Sequence, residues 1–208
     1  MARPAIFVFQ PYDKASIAAL QTATSLAING TYANLGAGSQ WAYATLSGFQ
    51  RCVTLSCAGD LSAVNVTIAG STYSGQAVSQ TISGPSGGTV SSSTQFMRVD
   101  TITGDATMTS IEAGFGNVGQ SRPFRPNPYN TPAELAMQVT VVGTIAYGVR
   151  STLDRIENPG ATNWVNHPTL SGTATRQDNY AFPPSAVQIN TTSAIGGSLV
   201  FSINPTGR

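Results

Sequence analysis

The chain has 208 residues, enough for one large or two small domains that each bury a core. Apolar residues at 41% exclude wholesale disorder, while charged residues at only 9% stand far below the roughly 25% of ordinary globular proteins. A net charge of +1, with Lys14 the single lysine, argues against nucleic-acid binding and against a polybasic membrane anchor.

From the N-terminus, "MARPAIFVFQPYDK" carries an apolar run too short for a signal peptide, so the expected product is cytoplasmic, and no run reaches the length of a membrane span. Asp13 is a candidate N-cap for a short helix in "DKASIAALQ", and residues 1–21 read as an N-terminal arm. The triplets at Asn29, Asn65 and Asn190 fit glycosylation acceptors only by chance without export.

"RCVTLSC" alternates as a strand, with Val53, Leu55 and Cys57 on one face and Cys52 on the other, so no disulfide between the cysteines is expected. "VNVTIAG" places Val64, Val66 and Ile68 on one face. In "TISGPSGGTVSSSTQFMRVDTITG", Ile82, Val90, Phe96, Val99 and Ile102 mark strands separated by turns at "GPSGG" and "TGD". Phe96, Val99 and Ile102 stand three apart rather than two, which predicts a bulge.

"GQSRPFRPNPYNTP" holds four prolines in fourteen residues and cannot continue a central strand. Thr131 and Pro132 at its end, with Glu134, fit one helical turn. "MQVTVVGTIAYGV" then alternates over thirteen residues, Met137, Val139, Val141, Ile145, Tyr147 and Val149 facing one way and Gly143 interrupting. "AVQIN" and "SLVFSIN" read as a closing hairpin around "IGG", with Val187, Ile189, Leu199, Phe201 and Ile203 inward.

The expected class is therefore all-β: two β-sandwich-like modules, jelly-roll or immunoglobulin-like, joined by a Pro/Arg-rich linker. The expected division is an arm at 1–21, a first module at 22–120, a linker at 121–132 and a second module at 133–208.

Chemistry is sparse. Gly114, Gly116 and Gly119 spell G-x-G-x-x-G, but proline follows where a dinucleotide site needs a helix, so no cofactor is expected. His167 is the only histidine, no serine lies in a G-x-S-x-G elbow, and a backbone-bonded loop histidine is the expectation. One histidine, two opposed cysteines and scattered acids give no metal-ligand spacing. Nine acids, mostly beside turns, offer no obvious glycosidase pair. Trp41, Trp164, Tyr180 and Phe182 could form a sugar platform, with core or interface packing the preferred reading. No catalytic residue is assigned, and the enzyme class is set aside.

"NVTIAGSTYSGQAVSQTISGPSGGTVSSSTQFMRVDTITG" resembles a recurrent pattern in tailed-bacteriophage virion proteins. "VTVVGTIAYGVRSTLD", "WVNHPTL" and "FPPSAVQINTTSAIGGSLVFSI" are similar to the module that often follows it there. The resemblance spans about residues 22–208 and implies a non-enzymatic virion structural protein in the head, neck or collar, tail, fibre attachment or capsid decoration. It implies a location in the virion after synthesis in the host cytoplasm. The partners are then other virion proteins and further copies of the chain, not nucleic acid or a membrane. A surface of small neutral groups, with little like-charge repulsion, independently suits assembly. Arg122, Phe124, Arg125 and Tyr129 are the candidate partner contacts, the arginines for carboxylates and the rings for pockets. The alternative is a carbohydrate-binding module for a host-surface glycan.

Overall fold

The computed structural model describes residues 4–9, 21–26, 48–127, 129, 134–156 and 162–205. Every regular element among them is a strand: β1 (Ala5–Phe9), β2 (Gln21–Leu26), β3 (Phe49–Asp60), β4 (Asn65–Ser71), β5 (Ala77–Ser83), β6 (Ser86–Phe96), β7 (Arg98–Ser121), β8 (Leu135–Thr152), β9 (Val165–Gly172), β10 (Arg176–Tyr180) and β11 (Ala186–Pro205). The chain is all-β, as its Val, Ile, Thr, Tyr and Phe content requires. The helical expectation at 13–21, apart from Gln21 at the start of β2, the helical turn at 131–133, and Trp41 lie outside the described residues.

The chain divides into two compact units, Tyr12–Leu46 with Gln50–Gly119, and Met1–Pro11 with Ser47–Phe49 and Gln120–Arg208. Each has a core of its own.

In the unit containing Gln50–Gly119, β7 is the common partner of β2, β3 and β4, while β4 also pairs with β5 and β3 with β6. The alternation expected from sequence is realised. Val64, Val66 and Ile68 are buried with Val53, Leu55 and Cys57, and Ile82 and Val90 pack against them half-buried. Phe96, Val99 and Ile102 all reach this core because the strand is interrupted by a bend at Met97 and the β4–β7 register then slips between Ala69 and Gly70, leaving Asp100 extra. That is the bulge their spacing predicts.

Of "GPSGG", only Gly84 and Pro85 separate β5 from β6 and the rest begins β6, while "TGD" does not separate strands. Gly104 lies inside β7 opposite Val66, and the Asp105 carboxylate accepts both the Asn65 amide at 2.9 Å and its side-chain N–H at 2.8 Å. The segment fastens the start of β4 instead of reversing the chain. A second irregularity, in the β3–β6 register between Cys52 and Thr54, is sealed by a side chain. The buried Ser92 hydroxyl accepts the Val53 amide at 2.8 Å and donates to the Thr94 carbonyl at 2.7 Å.

In the unit containing Gln120–Arg208, β11 pairs with β8 along almost its whole length. β1 adds to β11 through Ala5–Phe9, while β10 and β9 pair with β8 near its two ends. The expected "IGG" hairpin is corrected: Ala186–Pro205 is one strand, with register shifts between Thr191 and Ser193 and between Ile195 and Gly196. A one-residue slip turns every following side chain to the other face. Two slips restore the parity, so Val187, Ile189, Leu199, Phe201 and Ile203 all stay inward.

An 18-residue strand like β8 would reach about 60 Å if straight, yet the apolar residues of both its halves share one core with β11. The ribbon must therefore fold over its apolar face. Gly143, at φ +78°, supplies the left-handed backbone at the middle of β8, close to the second bulge. Phe7 stacks on Phe201 at 6.2 Å and Phe9 meets Phe49 edge-on at 5.1 Å, so both inward rings of β1 lie within this unit's core.

Ser92→Ala should cost about 1–3 kcal/mol in urea unfolding, because it strands the buried Val53 amide at the bulge. A loss below a few tenths would show that the amide finds another acceptor.

Candidate functional site

The segment after β7 contains the four residues expected to contact a partner. Its entry is fixed by buried polar groups: the Ser121 hydroxyl accepts the Ile189 amide at 3.2 Å, and the Gln188 side chain donates to the Ser121 carbonyl. The Arg122 amide donates to the Gly48 carbonyl at 2.9 Å, and its guanidinium lies 5.9 Å from the Phe7 ring centre at the surface. Phe124 exchanges two backbone hydrogen bonds with Val187, at 2.7 and 2.8 Å, and packs half-buried against the core of its own unit.

Beyond that bridge the side chains turn outward. The Tyr129 amide donates to Asn127 Oδ1 at 3.1 Å, and its ring is 88% exposed. Arg125 lines a groove of about 410 Å³ with Pro126, Asp154, Arg155, Ile156, Pro183, Pro184 and Ser185. The four expected contacts thus fall in three settings: Arg122 over Phe7, Phe124 on the core, and Arg125 and Tyr129 outward. Sequence reasoning missed Arg155 and the Pro183–Pro184 pair, which stand about 30 and 60 positions from Arg125 and meet it only through the pairing of β8 with β11.

The groove is well braced. The Asp154 amide donates to the Thr152 hydroxyl at 3.0 Å, and its carboxylate accepts the Asn163 amide at 2.6 Å. The Ser185 amide donates to the Thr152 carbonyl at 2.8 Å and its hydroxyl to the Leu153 carbonyl at 2.8 Å.

His167 lies on β9, not in a loop, and is 5% exposed. Its Nδ1 accepts the Thr169 and Leu170 amides at 3.3 and 3.2 Å, which leaves Nε2 as the protonated nitrogen of the neutral ring, facing the Asn179 carbonyl at 3.5 Å. The Thr169 hydroxyl donates to the Asp178 carboxylate. That hydrogen bond, helped by the Asn179 amide, holds the half-buried Asp178 carboxyl below its usual range. Both nitrogens of His167 are engaged with backbone, so the ring braces β9 rather than serving as a general base.

Trp164 is half-buried, and the Arg150 guanidinium lies 5.1 Å from its ring centre. Arg150 also donates to Gln188 Oε1 at 2.7 Å and to Gln120 Oε1 at 2.6 Å. One ring face is therefore committed within the protein. Tyr180 is buried against His167 at 4.7 Å, and Phe182, half exposed, lies 5.3 Å from Tyr180.

Gly114, Gly116 and Gly119 lie inside β7, where a side chain at Gly116 would strike Cys52 Sγ and one at Gly119 the Gln50 carbonyl. Close approach of β7 to β3 accounts for these two glycines. Cys52 and Cys57 are buried free thiols, and burial raises the Cys52 pKa. Among the described residues, no three His, Cys, Asp or Glu side chains come together to hold a metal ion. Among the described residues, no helix is long and apolar enough to cross a membrane.

No protein-family model, curated protein or solved structure matches the chain.

Arg150→Leu should lower stability by about 1.5–3 kcal/mol in urea unfolding, because its charge-assisted bonds to Gln188 and Gln120 are lost. Thr169→Ala should raise the Asp178 titration, read by carboxyl NMR. Since folding lowers that pKa, the Asp178 contribution is present above about pH 4 and is lost on acidification below it.

Proposed function

We propose that the chain is a non-enzymatic structural subunit of a tailed-phage virion, an oligomeric assembly or adhesion component of the neck, tail, fibre attachment or capsid surface. In this reading its two units are sandwich-like modules, and the Pro/Arg segment at 121–132 joins them and contacts a neighbour. The partners are other virion proteins and further copies of the chain, without direct nucleic-acid or membrane contact. The location is the virion, reached after synthesis in the host cytoplasm.

The observation that carries the reading is the surface. Ile6, Val142, Leu153 and Val165 are each about two-thirds exposed and Tyr129 is 88% exposed, on a chain of which only 9% is charged. Isolated exposed apolar groups are ordinary, but little like-charge repulsion surrounds these to hold copies apart. Extended all-β faces of Ser, Thr and Gly suit burial against a neighbour, and the sequence resemblance over about residues 22–208 points to the same class. The glycan-module alternative has less support, since Trp164 is covered on one face by Arg150 and Tyr180 is buried.

Mass spectrometry of purified particles from the encoding phage should find the chain in a fixed copy number. Light scattering of the isolated chain should give a discrete oligomer, and Tyr129→Ser should weaken it several-fold, as expected for an aromatic interface anchor. A stable monomer that is absent from particles would sink the proposal.

A further inference from the structure

We propose that one outward sheet face is a contact surface for a second copy of the chain, met through the same face. It is formed by β1, the C-terminal half of β11, the N-terminal half of β8, and β10. Alternate residues of these strands, Phe7, Phe201, Met137 and Val139 among them, point into the core. The residues between them point out, in rows across the strands. Ile6 stands beside Ser202, Gln138 and Gln177, and Val8 beside Val200 and Thr140. Val142, opposite Ser198, is diagonal to Val200. Four β-branched side chains therefore make one patch: Ile6 and Val142 are 65% and 66% exposed, and Val8 and Val200 are half-buried between them.

The chemistry of the face selects the occupant. Scattered exposed apolar groups mean little, but a contiguous patch rimmed by polar groups is how a protein contact surface is built. Here the rim is uncharged: Gln138, Gln177, Ser202 and Asn204 line a shallow groove of about 460 Å³ with Ala136. Met137 and Asp178 complete its lining, but they alternate to the other side of the sheet, where the Asp178 carboxylate accepts the Thr169 hydroxyl. Two copies that meet through one face set each group against its own image. A charge would face its like there, whereas hydroxyls and carboxamides both donate and accept. An uncharged face also gives a different protein no field by which to be selected, so the second copy is the favoured occupant. Strand addition at β10 is not the route, because β9 already meets that flank through the Thr169–Asp178 and Arg176–Thr169 hydrogen bonds. Four strands about 4.8 Å apart, with about six residues each at about 3.4 Å, give about 400 Å² of sheet. That is half of the roughly 800 Å² per partner in a standard interface, so the contact alone is weak.

The inference rests on the assembly reading only in expecting copies to meet, and its test uses the isolated full chain. Sedimentation velocity over a concentration series should show a weak dimer, little affected by rising salt because no charges pair across it. Val142→Lys and Ile6→Lys, each placing an ammonium on the patch, should each raise the dissociation constant on the order of tenfold or more. Ser171→Lys, which adds the same charge at an exposed position of β9, should leave it unchanged. In an amide NMR dilution series of the unaltered chain, Ile6, Gln138 and Val142 should shift and Ser171 should not. That measurement stands even if a lysine variant fails to fold. A chain that stays monomeric into the millimolar range, association untouched by both lysines on the patch, or equal loss with Ser171→Lys would overturn the proposal. The assembly reading fails separately. Absence of the chain from particles removes it and leaves the dimer intact, whereas a monomer found in particles does the reverse.

Discussion

In a chain whose regular structure is all strand, each backbone amide and carbonyl inside must find its partner on another strand or on a side chain. In the unit containing Gln120–Arg208 this requirement falls on the pairing of β8 with β11, and the other elements follow from it. The register carries two single-residue slips, and both are needed. With one, either Val187 and Ile189 or Leu199, Phe201 and Ile203 would point away from the core. The same register pairs Ala186 with Thr152, which brings Asp154–Ile156 beside Pro183–Ser185. The Phe124–Val187 bridge then delivers Arg125 to that place. The groove is thus a product of strand register, not of any local motif.

The high content of Ser and Thr has a structural use beyond a neutral exterior. At four places a hydroxyl accepts a backbone amide. Ser92 does so for the Val53 amide, Ser121 for Ile189, Thr152 for Asp154 and Thr175 for Val141. A small side chain that can both donate and accept fits such places, whereas a long charged one would carry a desolvation cost. The low charge follows in part from the same economy: irregular strands are repaired with hydroxyls.

Period-two alternation made the faces of the strands legible. Val64, Val66 and Ile68, and Met137 through Val149, are read correctly because apolar position alone decides which side is buried. The treatment of interruptions was not legible. "IGG" and "TGD" carry turn chemistry, yet both lie within continuous strands. A glycine permits a reversal and a bulge equally, and the choice depends on the partner. One signal was present: the thirteen-residue alternation ending at Val149 needs a partner of similar length, and a hairpin at "IGG" would have supplied two short ones. For the site, Arg125 and Tyr129 could be proposed from composition, since prolines deny that segment a place in a central strand. Arg155 and Pro183 could not, because nothing local in sequence relates them to Arg125.

Following the arginines separates structural from outward-facing charge. Arg150 is held by Gln188, Gln120 and Trp164, Arg98 pairs with Asp100, and Arg176 donates to the Thr169 carbonyl. Arg122 lies over Phe7. Each of these cations meets a neighbour within its own unit, as expected where few acids are present to balance them. Arg125 and Arg155 line one groove with Pro126, Pro183 and Pro184. Tyr129, four positions after Arg125 in the same segment, is 88% exposed. Arg125 and the exposed Tyr129 ring come from the same short stretch of sequence, whose prolines exclude it from the interior of a sheet.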